Sequence, residues 1–483
     1  HYGAVLARGE LKVTFDADHG TFSVRYWQHR FPVDPREYPR VLDAAVRALP
    51  ETAVPAGALA ELKNVVSAFG YLPVRSERAA DRRMERSLNQ EVDKRRLAGL
   101  VRAHPPIGEA IEQALRLFNP QPGDAAAFDA LHDLLEAQAY RLAFWRVASD
   151  EINYRRFFDV NELAALRMEN ETVFAATHAL VFDLLAEGRI HGLRIDHPDG
   201  LYDPAAYFRR LQERYAQVAQ IDAAPGDRPL YVTVEKIIAP FERLPESWAV
   251  HGTTGYRFAN VLNGLFVDPA NEAKLTRAYE AFVDDDATLG EIEYRAKRLI
   301  LRTALASELT VLANQLARLA RADRATRDYT LNTLREALSE VIACFPVYRT
   351  YVADTVSAED RRYIDWAVSH ARRRGRGADV TIFEFVRQAL LCELPIAGDP
   401  RHAAAVRAFA IKFQQVTAPV MAKGVEDTAF YRYNRLASLN DVGGDPGQFG
   451  FPVKAFHGAS GDRATKWPAT MLATSTHDNK RSE

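Results

Sequence analysis

The sequence GLRIDHPDG at residues 192–200 is the stretch from which the fold of this chain can be argued. Its apolar and polar residues alternate from Leu193 to Asp196, which is the period-two pattern of a short β-strand. Pro198 and the following Asp-Gly end the strand, because proline cannot donate to a ladder and Asp-Gly favours a turn. Arg194 and Asp196 point to the same face, where the guanidinium can keep the carboxylate ionised and oriented. Such a carboxylate suits a nucleophile, and a purely structural ion pair fits this pattern equally well.

A second predicted strand, 230–234, also ends in an acidic residue, Glu235. Between the two strands, residues 204–220 carry aromatic and leucine side chains at helical spacing. A strand–helix–strand unit with an acid at the end of each strand is typical of the active-site face of a βα-barrel. Two carboxylates on that face suit the cleavage of glycosidic bonds, in which one carboxylate attacks and the other donates a proton.

The composition favours a neutral substrate. The chain has 483 residues with 62 basic and 64 acidic side chains, so its formal net charge is −2. That length allows more than one domain. The balanced charge argues against nucleic acid or an anionic membrane as the main partner, and it fits a sugar. No apolar run reaches the ~20 residues of a membrane span. Cys344 and Cys392 are expected to be free thiols of a cytoplasmic protein.

Five longer blocks of sequence carry a family resemblance. They are GLRIDHPDGLYDP at 192–204, VEKI at 234–237, HGTTGY at 251–256, AKGVEDTAFYRY at 422–433 and STHDNKRS at 475–482. The Arg-x-Asp element alone is typical of the whole α-amylase superfamily, whereas the blocks together resemble the maltooligosyl trehalose synthase family. The resemblance implies an α/β fold, the (β/α)8 TIM-barrel of the α-amylase type. The superfamily's earliest motif, an Asp near an Asn-His pair, has no match, so the barrel is expected to be incomplete, with early and last strands absent.

The change of pattern along the chain predicts five segments, with large helical insertions and a small β excursion. They are a β-hairpin excursion at 1–35, a helical insertion at 36–150, central barrel strands with the first two acids at 151–267, a second helical insertion at 268–400, and a return to the barrel with substrate loops and the third acid at 401–483. Within the second insertion, leucines at 305, 309, 312, 316 and 319 predict a buried helical seam. Residues 471–474 are strand-like and are expected to deliver His477 and Asp478 to the barrel edge.

The resemblance implies retaining chemistry on α-1,4-glucans, with residue roles that match this sequence position by position. Asp196 would be the nucleophile, and Glu235, with a raised pKa, the acid and base. Their carboxyl groups should lie ~5–5.5 Å apart in a retaining enzyme. Asp478 would hold hydroxyls of the distorted sugar ring. Arg194 would orient Asp196, and His477 would bind the same ring.

The reaction that the resemblance implies is an intramolecular transglycosylation, which makes the protein a (1→4)-α-D-glucan 1-α-D-glucosylmutase of trehalose biosynthesis. The released reducing-end glucose turns in place and attacks through its anomeric hydroxyl, so that an α-1,4 bond becomes α,α-1,1. This requires a closed pocket that excludes water, and His197, Lys236, Tyr431 and Arg432 are predicted to form it. No metal or cofactor is expected, because zinc spacing and calcium loops are missing from the sequence. A trehalohydrolase acting on the product is the expected functional partner.

Two other functions fit parts of this pattern. An α-amylase-type hydrolase or a 4-α-glucanotransferase would use the same three acids, and a hydrolase would release maltose or glucose as its main product. A catalytically silent glucan-binding protein would be expected to lack one acid, and Asp196, Glu235 and Asp478 are all present. Because the chain starts without Met and ends directly after the third motif, it is expected to be a piece of a longer protein.

Overall fold

The computed structural model describes residues 1–121, 128–283, 287–375, 379–394 and 400–480. Two compact units divide the chain, His1–Val147 and Ala148–Glu483. Both are rich in helices, and the strands of the described residues form three small sheets. Arg481 and Ser482, the end of the 475–482 block, lie outside the described residues. Within the described ranges, none of the helices combines the length and the apolar character that a bilayer crossing requires.

The first unit combines an antiparallel sheet with helices. Its elements are α1 (Tyr2–Ala7), β1 (Leu11–Asp16), β2 (Thr21–Tyr26), β3 (His29–Pro32), α2 (Pro39–Ala48), α3 (Ala56–Tyr71), α4 (Ala80–Ala103), α5 (Pro105–Leu115) and α6 (Asp129–Glu136). The predicted hairpin is present as β1 and β2, which pair with Val13 opposite Val24, and β3 adds a third strand. Gly20 in the hairpin turn has φ +62°, and a Cβ there would lie 2.1 Å from the Lys94 carbonyl oxygen of α4. Only glycine therefore permits this close approach of turn and helix.

The second unit begins with the strands that carry the predicted acids. Its first elements are α7 (Ala148–Glu151), β4 (Arg156–Phe157), β5 (Val160–Ala164), α8 (Glu171–Ala186), β6 (Gly192–Ile195), α9 (Pro204–Val218), β7 (Tyr231–Val234), β8 (Gly252–Thr253) and α10 (Tyr256–Gly264). Asn170 caps α8 by accepting hydrogen bonds from the backbone N–H groups of Thr172 and Val173 at 2.9 and 3.2 Å. Strands β6, β7 and β8 form a parallel sheet in that order. Phe208 and Leu211 of α9 are fully buried in the core on this sheet.

A helical block follows the sheet. Its elements are α11 (Glu272–Val283), α12 (Leu289–Arg302), α13 (Ala306–Ala322), α14 (Leu331–Ala343), α15 (Ala358–Arg374), α16 (Val380–Leu390), α17 (Pro400–Met421) and α18 (Val453–Lys466). The predicted leucine seam is confirmed, because all five leucines from Leu305 to Leu319 are buried in one core with residues of α14 to α17. A π-helical turn, Ala422–Glu426, continues α17 into the 422–433 block.

The strand predicted at 471–474 is wrong. Met471 N donates to Thr253 O at 3.1 Å, but no ladder continues from it among the described residues. A ladder would start at the backbone groups of Thr253, but the Thr470 hydroxyl binds both of them. It accepts a hydrogen bond from Thr253 N at 2.9 Å and donates one to Thr253 O at 3.1 Å. Because β8 itself has only two residues, it offers no further backbone groups for pairing.

Candidate active site

The sheet register brings the first two predicted acids to one edge. In the parallel pair β6–β7, Ile195 lies opposite Val234, and these are the last residues of the two strands. The next residues, Asp196 and Glu235, therefore leave the sheet side by side, and Glu235 N donates to Ile195 O at 2.9 Å. The carboxyl edge of a parallel sheet is the usual place for catalytic groups in barrel folds.

Arg194 holds both acids. Its Nη1 lies 2.9 Å from Asp196 Oδ1, and its Nη2 lies 3.2 Å from Glu235 Oε1. The Asp196 side chain is 57% exposed, whereas that of Glu235 is only 14% exposed. The predicted orientation of Asp196 by Arg194 is thus present as a contact, and the same guanidinium also fixes the second acid.

Tyr256 joins Glu235 to the third acid. Its hydroxyl lies 3.3 Å from Glu235 Oε1 and hydrogen-bonds to Asp478 Oδ2. Tyr256 is the first residue of α10, directly after Gly255, which has φ +99°. A Cβ on Gly255 would lie 2.5 Å from Ala473 N, so glycine is needed for the chain segment before Asp478 to approach the sheet.

His197 contributes mainly through its backbone. It adopts φ +43°, and its N–H donates to Glu235 Oε2 at 3.0 Å. Its ring packs against Phe158, with 4.5 Å between the ring centroids, and against Phe157, with 5.6 Å between the centroids. Burial lowers the pKa of His197 to about 4, so its imidazole is neutral at physiological pH.

The two acids of the sheet edge have opposite pKa shifts. Burial raises the pKa of Glu235 to about 8, and its hydrogen bond to the Asp196 carboxylate adds to this increase. For Asp196, partial burial would raise the pKa, but hydrogen bonds from Glu235 and Arg194 and the Arg194 charge lower it overall. At neutral pH one carboxyl is therefore protonated beside one that is ionised, which is the arrangement that an acid and a nucleophile require.

The three acids open into a cavity of about 420 Å³. Its lining residues are Phe157, Phe158, Asp196, His197, Asp199, Glu235, Ile237, Tyr348, Ala418, Ala422, Lys423, Glu426, Asp427, Val442, His477, Asp478 and Lys480. His477 Nε2 lies 3.4 Å from Asp478 Oδ1, and its side chain is 70% exposed. A second cavity of about 790 Å³ adjoins it, because Ile237, Tyr348 and Glu426 line both. These volumes are adequate for sugar rings.

The chain is similar to several known proteins. A Mycobacterium tuberculosis protein described provisionally as a maltooligosyl trehalose synthase is 33% identical over 368 residues, which are 75% of this chain and 42% of that protein. The maltooligosyltrehalose synthase of Arthrobacter ramosus is 30% identical with a TM-score of 0.64, over 97% of this chain and 44% of that one. A hypothetical maltooligosyl trehalose synthase of Sulfolobus tokodaii is 25% identical with a TM-score of 0.58, over 97% of this chain and 44% of that one. No protein-family model matches.

The chain belongs to the maltooligosyl trehalose synthase family. It spans less than half the length of the curated relatives and solved structures that it matches. Its fold is that of the solved members, and it is rich in helices with few strands.

Three of the predicted pocket residues of this family member do not line the cavity with the acids. Lys236 is fully buried behind β7, because neighbouring residues of an extended chain point to opposite sides and Glu235 takes the cavity side. Tyr431 is 63% exposed, with its ring 5.4 Å from the Lys480 ammonium. Arg432 is exposed, and its carbonyl oxygen accepts a hydrogen bond from Tyr279. Of the predicted pocket residues, His197 lines the cavity.

Tyr256 was not identified as a site residue from the sequence. The sequence signal for Tyr256 was its position at the end of the 251–256 block, which is the next family block after the one that contains Glu235. The charged part of the cavity wall lies in the 401–483 segment, which was predicted to carry substrate loops. There Asp427 pairs with Lys480 at 2.9 Å and with Lys423 at 3.1 Å.

A metal could be held by one group of the described residues. Glu235, His477 and Asp478 each offer a ligand atom, and these atoms lie within 4.8 Å of one another. The hydrogen bonds to Tyr256 and the ion pair with Arg194 already account for oxygens of both carboxyl groups. That no metal or cofactor is needed stays a prediction.

Proposed function

We propose that this protein converts the reducing-end α-1,4 bond of a maltooligosaccharide into an α,α-1,1 bond by intramolecular transglycosylation. One observation carries the proposal: Asp196, Glu235 and Asp478 meet at the wall of one cavity, where Arg194 contacts the first two acids and Tyr256 contacts the last two. Burial there raises the pKa of Glu235 to about 8. The names of its relatives support the product, because they are described as maltooligosyl trehalose synthases.

In the first half of the proposed reaction, the Asp196 carboxylate attacks the anomeric carbon and forms a glycosyl ester. The bond from that carbon to the bridging oxygen breaks, and the Glu235 proton moves to this oxygen. The contacts with Arg194 support this division of roles, since the guanidinium stabilises the ionised form of Asp196. Asp478, held by Tyr256, and His477 would bind hydroxyls of the ring that develops oxocarbenium character.

In the second half, the released glucose stays in the site and turns. Its anomeric hydroxyl attacks the glycosyl ester, Glu235 takes the hydroxyl proton, and Asp196 leaves as a carboxylate. The result is an α,α-1,1 bond with all atoms conserved, so the enzyme class would be an intramolecular glucosylmutase. Water must be excluded, because it would otherwise hydrolyse the ester. The small cavity with Phe157, Phe158 and His197 in its wall supports such exclusion.

The second unit would be built around an incomplete barrel. Strands β6, β7 and β8 would be part of an incomplete (β/α)8 barrel, with 36–150 and 268–400 as helical insertions and 401–483 as the return to the barrel. The three strands are parallel and neighbour one another in the order of the sequence, as consecutive strands of such a barrel do, and this supports the assignment to a barrel. A cytoplasmic location and a trehalohydrolase that acts on the product remain predictions from the sequence.

Incubation with maltopentaose tests the reaction. Loss of reducing ends without shortening of the chain is expected, measured by a reducing-sugar assay together with mass spectrometry of the oligosaccharides. Free maltose or glucose as the main product would show a hydrolase, and bound but unchanged maltopentaose would show a glucan-binding protein.

A matched pair of variants tests the nucleophile. Asp196→Asn should lower turnover more than about 1000-fold, since the attacking oxygen loses its charge. Asp462→Asn alters an exposed carboxylate on α18 that pairs with Lys466, and it should leave turnover unchanged. Full turnover by Asp196→Asn would refute the assignment of the nucleophile.

A further inference from the structure

The buried ammonium of Lys236 has a complete set of partners. Its Nζ lies 2.9 Å from Glu242 Oε1 and 3.3 Å from Asp199 Oδ2, and it donates to Ile237 O at 2.7 Å. An ammonium group has three protons, so these three acceptors satisfy it fully. The side chain has 0% exposure, which fixes this geometry away from solvent.

The partners of Lys236 belong to the two loops that carry the acids. Lys236 directly follows Glu235, and Asp199 lies three residues after Asp196 in the turn Pro198–Gly200. The Lys236–Asp199 ion pair therefore joins the end of β6 to the end of β7, with Lys236 buried and Asp199 in the cavity wall. The sheet register fixes the strands, and the acids lie just beyond the last paired residues, where Glu235 N donates to Ile195 O at 2.9 Å.

Asp199 is itself anchored on the helical block. Its Oδ1 accepts a hydrogen bond from Tyr351, and its carbonyl oxygen accepts one from Arg349 Nη1 at 2.9 Å. Arg349 also donates to Leu201 O at 2.6 Å. Arg349 is fully buried like Lys236, so two cations balance the carboxylates of Asp199 and Glu242.

Stability alone is a weak reason for such a cluster. Burying charges costs solvation free energy, and apolar residues of the same volume often stabilise a protein as well or better. A buried ion pair does, however, have one geometry only, because each oxygen must meet its donor. Its position, one and three residues from the reacting carboxyl groups, makes that geometry useful for catalysis.

We propose that Lys236 is a positioning residue, which fixes the separation of the Asp196 and Glu235 carboxyl groups through its ion pair with Asp199. This proposal rests on the glycosyl-transfer function proposed above. A retaining mechanism tolerates little change in that separation. The charged groups that face Glu235 in the cavity are unchanged by any substitution of Lys236: Asp196, Arg194, Tyr256, His477 and Asp478.

Lys236→Met tests the proposal, with Arg298→Met as the matched control. Arg298 pairs with buried Glu340 at 2.9 Å and with exposed Glu336 at 2.7 Å in the helical block, so its loss also breaks two ion pairs of a cation, but away from the acids. We expect Lys236→Met to lower kcat about 100-fold, because a displacement of about 1 Å has that effect. The Kd for maltopentaose, measured under conditions without turnover, should change less than about threefold. Arg298→Met should lower Tm but leave kcat within about twofold.

Folded Lys236→Met with kcat near that of the wild type, or an equal loss of kcat in Arg298→Met, would overturn the proposal. If Lys236→Met does not fold, Tyr351→Phe decides, because it removes only the hydrogen bond to Asp199. A loss of about fivefold in kcat supports the proposal, and unchanged kcat overturns it.

A wild-type protein without activity on glucans would refute the proposed function but not the positioning role. In that case the carboxyl titration of Glu235, followed by carbon-13 NMR and assigned with Glu235→Gln, provides the test. Tyr351→Phe should shift its midpoint by about half a pH unit or more, because the distance to Asp196 changes. An unchanged midpoint would overturn the positioning role.

Discussion

Raising the pH through 8 should remove the proton that the leaving glucosyl oxygen needs. That proton belongs to Glu235, whose pKa is raised to about 8 by burial and then by its hydrogen bond to the Asp196 carboxylate. Asp196 has a lowered pKa and remains ionised over the whole neutral and alkaline range. The alkaline limb of the rate profile should therefore report the state of Glu235. Glu426 in the cavity wall, whose pKa burial raises to about 7, is a second carboxyl that titrates in this range, and Glu426→Gln separates the two.

The size of the effect follows from the pKa. With a pKa of about 8, Glu235 is about nine-tenths protonated at pH 7 and about one-tenth protonated at pH 9, so kcat/KM should fall about tenfold between these values. A glutamate with the usual pKa of about 4.3 would be protonated in only about one molecule in 500 at pH 7. The two cases predict alkaline limbs more than three pH units apart.

The assay is the initial rate of maltopentaose conversion between pH 5 and 10 at constant ionic strength. Circular dichroism at each pH serves as the control for folding. A rate that stays constant up to pH 10, or one that has already fallen by pH 6 in folded protein, would refute the role of Glu235 as the acid.

Three further substitutions test the acid edge and the helical core. The pKa of Glu235 is higher in the folded than in the unfolded protein, so the folded protein binds an extra proton between the two values and loses stability as the pH rises from about 4 to about 8. Calorimetry should therefore give Glu235→Gln a higher Tm than the wild type at pH 7.5, and a smaller difference at pH 5. Gly255→Ala should lower kcat more than about tenfold with the fold retained by circular dichroism, because its Cβ would meet Ala473 N at 2.5 Å and displace Asp478. Leu316→Ala should cost about 2–5 kcal/mol in urea denaturation, because Leu316 is fully buried in the helical core.

The local features of the acid edge were predictable from the sequence. Alternation after Gly192 predicted β6, and the β-rich run at 230–234 predicted β7. The Arg194–Asp196 contact was predictable because two residues on one strand share a face. Each of these depends on neighbours within a few positions, for which spacing is sufficient.

The placement of Lys236, Tyr431 and Arg432 was not predictable in the same way. Alternation requires Lys236 to face away from Glu235, but it does not tell whether solvent or protein lies on that side. Arg349 and Tyr351, which are more than one hundred residues away in the chain, provide the buried surroundings.

The sequence by itself determined β6 and β7, the acids that follow them, the leucine seam of the helical core and the family resemblance, since these depend on residue type and spacing. Only the tertiary structure decided that Tyr256 meets Asp478, 222 residues later, and that the segment before Asp478 is not a strand. The physical reason is competition for hydrogen bonds. The Thr470 hydroxyl accepts from Thr253 N and shares Thr253 O with the backbone N–H of Met471, and only a folded chain brings those atoms together.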